Sequence, residues 1–452
     1  MSLSNLYASA RRSLMAYQAA TNVTGQNIAN AESAGYTRRA VRLAPDPRLD
    51  GGVMFHNGQL GAGGGAGLAG IDRMRSSILD AAARRGMTNR DGAGASAQLL
   101  AGLEGQLAPD GGEALLGSLT EFWNAWSDVA DHPSDLSARN ALLSQAGSVA
   151  SALRGASERL DHYAASVQSS LGASVEEANG LLSEIAHLNG LVRAANAQGV
   201  ADPDAQDRRD LLLDRLAGLV PVNVRSQADG TVDVSFGGMV GVQGTESRAL
   251  RLVGPPDAAT TEIRADGSSR GLTLSGTEGG ELGAQLDLLA VALPSARSAL
   301  DTLAAQLVDR VNTAHATGTG LDGVSGRPFF DPAGVTASTI ALSSDMTAEA
   351  VAAGSGAPGD GSVATTIAGL GDGVQSLATA LMADLGTRVR AASAAATASA
   401  AMADHAGALR DSVSRVSLDE EMVNLIRYQQ AYAASARVLD TANGLFDTLL
   451  GL

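Results

Sequence analysis

The chain has 452 residues, of which 45% are hydrophobic and only 3% aromatic, and its formal net charge is −16. It contains no cysteine, and all 32 of its Lys and Arg positions are arginine. These features exclude a catalytic thiolate, a Schiff-base or phosphate-binding lysine and a thiolate metal site, and they oppose binding to nucleic acid and to anionic lipid.

The first segment of the chain predicts a helix over residues 2–31. Residues 1–45 are locally basic, and this charge fits either a solvated surface or a contact patch for acidic neighbours. Residues 32–70 predict an irregular stretch, because Pro45, Pro47 and a dense run of glycines interrupt any regular pattern.

Helical patterning resumes at Ile71 and continues, with breaks, to about Leu219. The candidate helices cover residues 71–107, 112–131, 135–198 and 204–218. The period then changes to an alternation of apolar and polar residues, which predicts a β-hairpin turning at Ala228-Asp229-Gly230. Residues 220–276 therefore predict a small β domain inserted between helical segments.

The helical pattern returns over residues 281–315, where Pro294 predicts a kink. Residues 317–361 are rich in turn-forming residues. Two further helices are predicted over residues 362–400 and 402–450.

Both ends of the chain carry apolar residues at steps of three and four, which is the 3.5-residue period of a coiled-coil seam. The N-terminal positions are Leu3, Tyr7, Ala10, Leu14, Tyr17, Thr21, Thr24 and Ile28. The C-terminal positions are Leu418, Met422, Leu425, Gln429, Tyr432, Ala436, Leu439, Asn443, Phe446 and Leu450. A chain with a seam-forming helix at each end is typical of an assembly protein, whose ends join each other or neighbouring copies.

Two glycine motifs match enzyme patterns by their letters alone. Gly65–Gly70 spells the dinucleotide-binding G-x-G-x-x-G without an adequate preceding strand, so we interpret it as a glycine-rich loop. Gly267–Gly271 spells the G-x-S-x-G nucleophile elbow between two strand-like pieces, so we interpret it as a hairpin turn.

The titratable residues do not converge on a catalytic or metal site. The six histidines lack metal-ligand spacing, and the acidic group Asp202, Asp204 and Asp207 lacks the glycine and the terminal glutamate of a calcium loop. We interpret that group as a solvated helix start, and 419–421 as carboxylates at a helix N-terminus. The sequence thus predicts no enzyme, no cofactor, no catalytic residue and no metal ligand.

No apolar run is long enough to predict a membrane span, and no cleavable signal peptide is predicted.

Beyond these patterns, both ends resemble the flagellar axial proteins. The N-terminal motif is Asn30-Ala31-Glu32-Ser33-Ala34-Gly35-Tyr36-Thr37-Arg38, in which Ser33 and Ala34 replace the usual threonine and proline. The C-terminal motif is Ser417-Leu418-Asp419-Glu420-Glu421-Met422-Val423-Asn424-Leu425. Within that family the chain is similar to the hook-associated proteins of the hook–filament junction, also at 133–142, 207–216, 280–284 and 311–315.

The resemblance implies a structural protein that joins hook to filament and polymerises through its terminal helices. The implied partners are further copies in a homo-oligomeric ring, the hook protein, the next hook-associated protein, the export apparatus and an export chaperone on the C-terminal helix. It also implies an extracellular location in the flagellum. The inner contact is expected from Leu3, Leu6, Tyr7, Leu14, Tyr17 and Ile28, packed on the C-terminal seam. Asn30 is also expected among the assembly residues, and Gly35, Tyr36, Thr37 and Arg38 are expected to set the exit turn.

We therefore expect a mainly α fold with an inserted β domain (α+β), nested so that the ends pair beneath a helical bundle and the β domain lies outermost. The expected domains are 1–70 with 402–452, 71–219 with 277–401, and 220–276. A second β insertion, common in the family, is reduced here to a loop or a short hairpin within 331–361.

Three alternatives remain open from the sequence. One is a soluble helical protein with no flagellar role, for which the match of both ends would have to be coincidence. The chain could be another axial protein, a hook or rod subunit, although the long helical stretch 71–219 argues against both. It could also be an extracellular enzyme displayed on a filament, which would need a convergent polar site.

Overall fold

The computed structural model describes residues 3–45, 66–109, 113–253, 262–265, 274, 276–357 and 359–450. Gly65, which opens one glycine motif, and the whole of the motif at 267–271 lie outside these ranges, as do Pro47 and most of 254–275.

The described chain is mainly helical with small antiparallel sheets, which confirms the predicted fold class. The helices are α1 Leu3–Ala29, α2 Ser77–Leu107, α3 Glu113–Asp131, α4 Leu136–Ala197, α5 Pro203–Leu219, α6 Gly280–Asp287, α7 Leu293–His315, α8 Ser362–Ala368, α9 Gly371–Ser414 and α10 Leu418–Leu450. The strands are β1 Arg39–Pro45, β2 Ala66–Arg73, β3 Asn223–Ser226, β4 Val232–Phe236, β5 Met239–Gln243, β6 Glu246–Ser247, β7 Leu250–Val253 and β8 Glu262–Ala265.

The 62-residue α4 is the axis of the helical bundle. Asp135 caps its start by accepting a hydrogen bond of 2.7 Å from the backbone nitrogen of Ser137. Leu142, Leu153, Leu160 and other apolar side chains then recur at helical spacing and are buried against the neighbouring helices. Because the core is built from leucine, valine and alanine, its helices pack closely, as the low aromatic content predicts.

Most of the few aromatic residues of the bundle form one cluster. Phe122 and Trp126 of α3 pack against Phe329 and Phe330, with ring centroids 5.1–6.3 Å apart. Both Phe329 and Phe330 are fully buried, so they anchor the turn-rich segment 317–361 to the bundle. In that segment the described strand pairing consists of isolated bridges, such as Phe330 with Leu342.

The inserted β domain begins with the predicted hairpin. β3 and β4 pair antiparallel, with Ser226 opposite Val232, and Gly230 adopts a φ of +88° in the turn between them. A side chain at Gly230 would be strained by this backbone conformation and would collide with Asn196 of α4. The hairpin is therefore held directly against the end of the long helix.

A buried polar contact joins the β domain to the bundle. Asn189 of α4 donates to the carbonyls of Val232 and Gly244, at 2.8 and 2.6 Å, and its Oδ1 accepts from the backbone nitrogen of Val232 at 3.1 Å. Arg209 of α5 donates to that same Oδ1 and to the Gly230 carbonyl, each at 2.9 Å. These hydrogen bonds fix the sheet to the helices through backbone atoms.

Several predicted boundaries are wrong. The helix expected over 362–400 is broken between Ala368 and Gly371, and the helix expected from residue 402 begins at Leu418. Residues 39–45 and 66–73 form the antiparallel pair β1–β2 where an irregular stretch was expected, so α2 begins at Ser77 and not at Ile71. The apolar spacing of residues 66–73 is compatible with a helix or a strand, and pairing with β1 stabilises the strand. α9 continues through residues 401–402 to Ser414, because its alanine-rich sequence contains no helix breaker there.

The irregularity expected at Pro294 lies one turn earlier. A π-helical segment, Leu288–Ala292, separates α6 from α7, and Pro294 occupies the first turn of α7. Proline has no backbone N–H to donate to the preceding turn, which explains why the regular ladder is interrupted beside it.

One helical run, Gly280–His315, is long and apolar enough by length and composition to cross a membrane. The prediction that no such segment exists was therefore too strict. Leu293, Leu300, Leu307 and Val311 of this run are buried in the bundle core. A core helix of this kind passes the same test of length and composition.

Candidate functional site: the terminal helix pair and its turn

The two chain ends form one antiparallel helix pair, which we call the terminal pair (α1 and α10). Tyr7, near the start of α1, packs edge-to-face on Phe446, near the end of α10, with ring centroids 6.4 Å apart. At the opposite end of the pair, Asn27 donates a hydrogen bond of 3.0 Å to Glu421.

The buried face of each helix is offset by one position from part of the predicted seam. On α10, buried or half-buried side chains recur every seven residues at Glu421, Tyr428, Ser435 and Ala442. On α1, the fully buried side chains include Ala16, Ala20, Val23 and Asn27. Two residues of the predicted seam, Ala10 and Thr24, are also fully buried. Ala16, Ala20 and Ala442 are small, so they allow a close approach of the two helices.

The predicted interface residues consequently fall into two groups. Half-buried positions on α1 and α10 are Leu6, Tyr7, Leu14, Tyr17, Ile28, Leu425, Leu439 and Phe446. Exposed positions on α10 are Leu418, Met422, Gln429 and Tyr432. Leu3 and Leu450 are the first residue of α1 and the last of α10, and their side chains lie outside the described part.

After α1 the chain reverses through residues 30–38, which we call the exit turn. Asn30 donates back to the Gln26 carbonyl at 2.9 Å. Gly35 has a φ of +78°, a conformation that side chains rarely adopt, and a Cβ there would lie 3.4 Å from the side chain of Leu211. The motif glycine is therefore required by the backbone of the turn.

Asn27 binds the exit turn to α1. Its Oδ1 accepts from the Tyr36 hydroxyl at 2.9 Å and from the backbone nitrogen of Arg39 at 3.1 Å. Its Nδ2 donates to the Arg39 carbonyl at 2.8 Å, in addition to Glu421. Burial raises the pKa of Tyr36, so its hydroxyl stays protonated and can donate. The amide of Asn27 thereby links α1, the turn and α10.

Arg38 joins the turn to the C-terminal half of the chain. Its guanidinium binds Glu420 at 2.9 Å and the buried Glu421 at 2.8 Å, at the start of α10. Its backbone nitrogen donates to the Ser414 carbonyl at the end of α9, and its carbonyl accepts from Met74. The last motif residue thus contacts three elements that meet at the base of the bundle.

A network of arginine and aspartate side chains extends from the turn into the bundle. Arg73, at the end of β2, binds Asp207 at 2.5 Å and Asp210 at 2.6 Å, and it donates to the hydroxyl of Thr37 at 3.3 Å. Asp207 also lies 3.4 Å from the backbone nitrogen of Thr37. The motif threonine is held between the strand and α5.

The network continues along the face of α5. Asp210 also accepts from Arg75 at 2.8 Å and from Arg84 at 3.3 Å, and Asp214 binds Arg84 at 2.8 Å. Burial alone would raise the pKa of Asp210, but the guanidinium groups of Arg75 and Arg73 lower it below its ordinary value. Asp210 is therefore ionised and bound by three cations.

Sequence reasoning missed the residues that make these links. Asp207 is buried, so its interpretation as part of a solvated cluster was wrong; Asp202 of that group caps α5 by accepting from Ala205 at 3.0 Å. Glu421 is buried and bound by Arg38. Residues 419–421 were interpreted only as carboxylates that favour a helix N-terminus, so this ion pair was not predicted. The available signal was the spacing of Asp207, Asp210 and Asp214, which places all three carboxylates on one helix face.

Within the described ranges, no group of three or more His, Asp or Glu residues could hold a metal ion. What the arrangement does provide is a joint, in which hydrogen bonds and ion pairs connect α1, β2, α5 and α10.

A terminal helix pair joined through the exit turn to a helical bundle is the architecture expected of an assembly protein, and the family models place it among the flagellar axial proteins. The family model "Flagellar basal body rod FlgEFG protein C-terminal" matches residues 406–452, which include α10. A second model, "Flagellar hook-associated protein FlgK helical domain", matches residues 100–330, about half of the chain. The chain therefore belongs to the FlgK family of flagellar hook-associated junction proteins, and the resemblance of its terminal motifs is confirmed.

Relatives of this family match along the whole chain. Flagellar hook-associated protein 1 of Bacillus subtilis is 28% identical, over 98% of this chain and 96% of its own length. The protein of the same name from Salmonella typhimurium is 26% identical over the full length of both. The solved structure of the flagellar hook junction protein FlgK from Burkholderia pseudomallei is 26% identical, with a TM-score of 0.47, over 57% of this chain and 46% of that chain.

Proposed function

We propose that the chain acts as a structural subunit between hook and filament and polymerises through its terminal pair. The observation that carries this proposal is an apolar row on the outer side of α10, which α1 leaves uncovered. We call Leu418, Met422, Val423 and Ile426 the outer row. Met422 and Ile426 are 57% and 54% exposed, one helical turn apart.

The outer row suits contact with a further helix. Leu418, Met422 and Ile426 follow one another at four-residue steps, and Val423 lies three residues before Ile426, so the four share one side of α10. Full burial of a large apolar side chain contributes about 1.5–3 kcal/mol, and these half-exposed residues would gain part of that at each contact, repeated around the array. The seam positions that do not face α1 would then face another subunit.

The proposed partners follow from the family and the charge. They are further copies in a ring, the hook protein, the next hook-associated protein, the export apparatus and a chaperone that covers the C-terminal helix. The protein would lie outside the cell in the flagellum. A net charge of −16 opposes binding to nucleic acid or to an anionic membrane. No enzymatic activity is proposed.

The proposed domains remain those of the sequence analysis: 1–70 with 402–452 as the assembly domain, 71–219 with 277–401 as the bundle, and 220–276 as the β domain. Because α9 is continuous to Ser414, the boundary at residue 402 falls inside a helix. The joint at the exit turn would orient the bundle on the assembled core.

The test is the double variant Met422→Glu with Ile426→Glu, expressed in cells that lack their own junction protein. Both side chains are exposed, so the variant should fold and be exported, but hooks should remain without filaments in electron micrographs. The control is Val291→Glu, because Val291 is 55% exposed on the bundle and should tolerate the same change. Normal filaments on cells with the double variant would refute the proposed contact.

A further inference from the structure

A polar cavity of about 720 Å³ lies between the start of α2, α5 and the first hairpin of the β domain. Its size is that of a small-molecule site. The arginines in its wall are Arg73, Arg75, Arg84, Arg85 and Arg209. The acidic residues in its wall are Asp80, Asp210 and Glu278. The protein as a whole is strongly acidic, so a cavity with an excess of arginine is unusual for this chain.

Three of these arginines are already bound by carboxylates. Arg73, Arg75 and Arg84 share Asp210, and Arg75 also binds Asp80 at 2.7 Å. Arg73 also binds Asp207, and Arg84 also binds Asp214. Among the described residues, these ion pairs balance the positive charge of the three arginines.

Arg209 is different, because it is buried without an ion pair among the described residues. It is 6% exposed, and its two hydrogen bonds from one terminal nitrogen go to the neutral oxygens of Asn189 and Gly230. Its Nε is buried without any hydrogen-bond partner. Burial lowers the pKa of Arg209, and the neighbouring cations Arg73, Arg84 and Arg75 lower it further, which outweighs the effect of Asp210.

Arg85 adds a second uncompensated charge. It is exposed at the edge of the cavity, on the same helix as Arg84, and makes no ion pair with the described residues. Glu278, also in the wall, makes no ion pair with the described residues either. An unpaired buried cation is costly, and an anion beside Arg209 would offset that cost. The exposed Arg85 would add a second attractive charge for the anion.

We infer that this cavity is a binding site for a small molecule carrying an oxyanion group, held by Arg209 and Arg85. Guanidinium groups match phosphate, sulfate and carboxylate through paired N–H donors. The site joins the bundle to the β domain, so occupancy would stiffen the link between them. This inference is independent of assembly through α10.

The test is equilibrium dialysis of the full-length protein against radiolabelled inorganic phosphate, with ionic strength fixed by chloride. The wild type should bind saturably, with one phosphate per chain. Arg85→Gln should weaken binding about tenfold, because it removes one charged partner of the anion. Glu278→Gln should strengthen it, because it removes a like charge from the wall.

The matched control is Arg208→Gln, because Arg208 is an exposed arginine beside Arg209 that does not line the cavity. Its affinity should equal that of the wild type. Arg209→Gln should abolish binding, with folding checked by circular dichroism; if it fails to fold, the Arg85 variant still decides. Competition by citrate would show that carboxylates are accepted, and its failure would restrict the site to tetrahedral oxyanions. Absence of saturable phosphate binding, or equal affinity in wild type and Arg85→Gln, would overturn the inference.

Discussion

Asn27 and Glu421 lie 394 positions apart in the chain and are joined by a buried hydrogen bond of 3.0 Å. Glu421 is also bound by Arg38, and Asn27 also holds Tyr36 and Arg39. One amide and one carboxylate therefore connect both chain ends to the turn between the terminal pair and the bundle.

Replacement of Asn27 by alanine should destabilise the protein by about 2 kcal/mol, because it leaves a buried carboxylate oxygen and backbone groups without partners. The free energy of unfolding from urea titration measures this loss. Asn22→Ala is the control, since Asn22 is an exposed asparagine on the same helix and should change stability little. Equal effects of the two variants would contradict the role assigned to Asn27.

Two glycine variants should differ in the sign of their effect. Gly35→Ala should destabilise by about 1–2 kcal/mol, because residue 35 has a φ of +78°. Gly25→Ala should stabilise by about 0.5–1 kcal/mol, because Gly25 lies inside α1 and a Cβ there meets nothing within 4 Å. Urea titration measures both, and stabilisation by Gly35→Ala would show that the turn does not need its glycine.

Loss of the carboxylate of Asp210 should cost about 3 kcal/mol, because Arg73, Arg75 and Arg84 would lose their shared partner. The pKa of Asp210 is lowered in the folded state, so its stabilisation is present above the ordinary pKa of 3.8 and is lost as pH falls below that value. Asp210→Asn should reduce this acid dependence. Asp72→Asn, at a half-exposed pair with Arg42, is the control and should leave the dependence unchanged.

His315 should make stability fall at mildly acidic pH. Its Nε2 accepts from the backbone nitrogen of Ala352, while Nδ1 lies 2.8 Å from the Arg327 carbonyl, so the ring must be neutral. Burial lowers the pKa of His315, and the nearby cations Arg139 and Arg327 lower it further.

The unfolded chain therefore binds a proton below the ordinary pKa of 6.5, while the folded chain does not until lower pH. The free energy of unfolding should decrease as pH falls below 6.5. In His315→Gln this slope should flatten, whereas in His132→Gln, an exposed position, it should persist. An unchanged slope in His315→Gln would exclude His315 as its source.

The sequence predicted the fold because its helices carry strong periodicity and its hairpin carries Gly230 at the turn. It predicted that each end forms a seam, but only part of each predicted face packs inward. A 3.5-residue repeat with apolar residues on adjacent rows allows two faces, and the pair uses the face that holds Ala16, Ala20 and Ala442. This face packs inward because its small residues let the two helix backbones approach closely.

The ion pairs and hydrogen bonds between the exit turn, β2 and α5 could not be predicted from the sequence. These contacts join positions far apart, such as Arg73 with Asp207, 134 residues later, and no local pattern records such a pairing. Acidic residues at a helix start are normally solvated, so Asp207 was interpreted in that way. The motif residues Gly35, Tyr36, Thr37 and Arg38 were found because they form a continuous segment.

Assembly through the outer row of α10 is tested most directly by thiol accessibility, since the chain has no natural cysteine. Ile426→Cys should react rapidly with a maleimide in the monomer and at least tenfold more slowly in assembled hook–filament junctions. Ala442→Cys, at a buried position of the terminal pair, should react slowly in both. Equally fast labelling of Ile426→Cys before and after assembly would show that no neighbouring subunit covers the outer row.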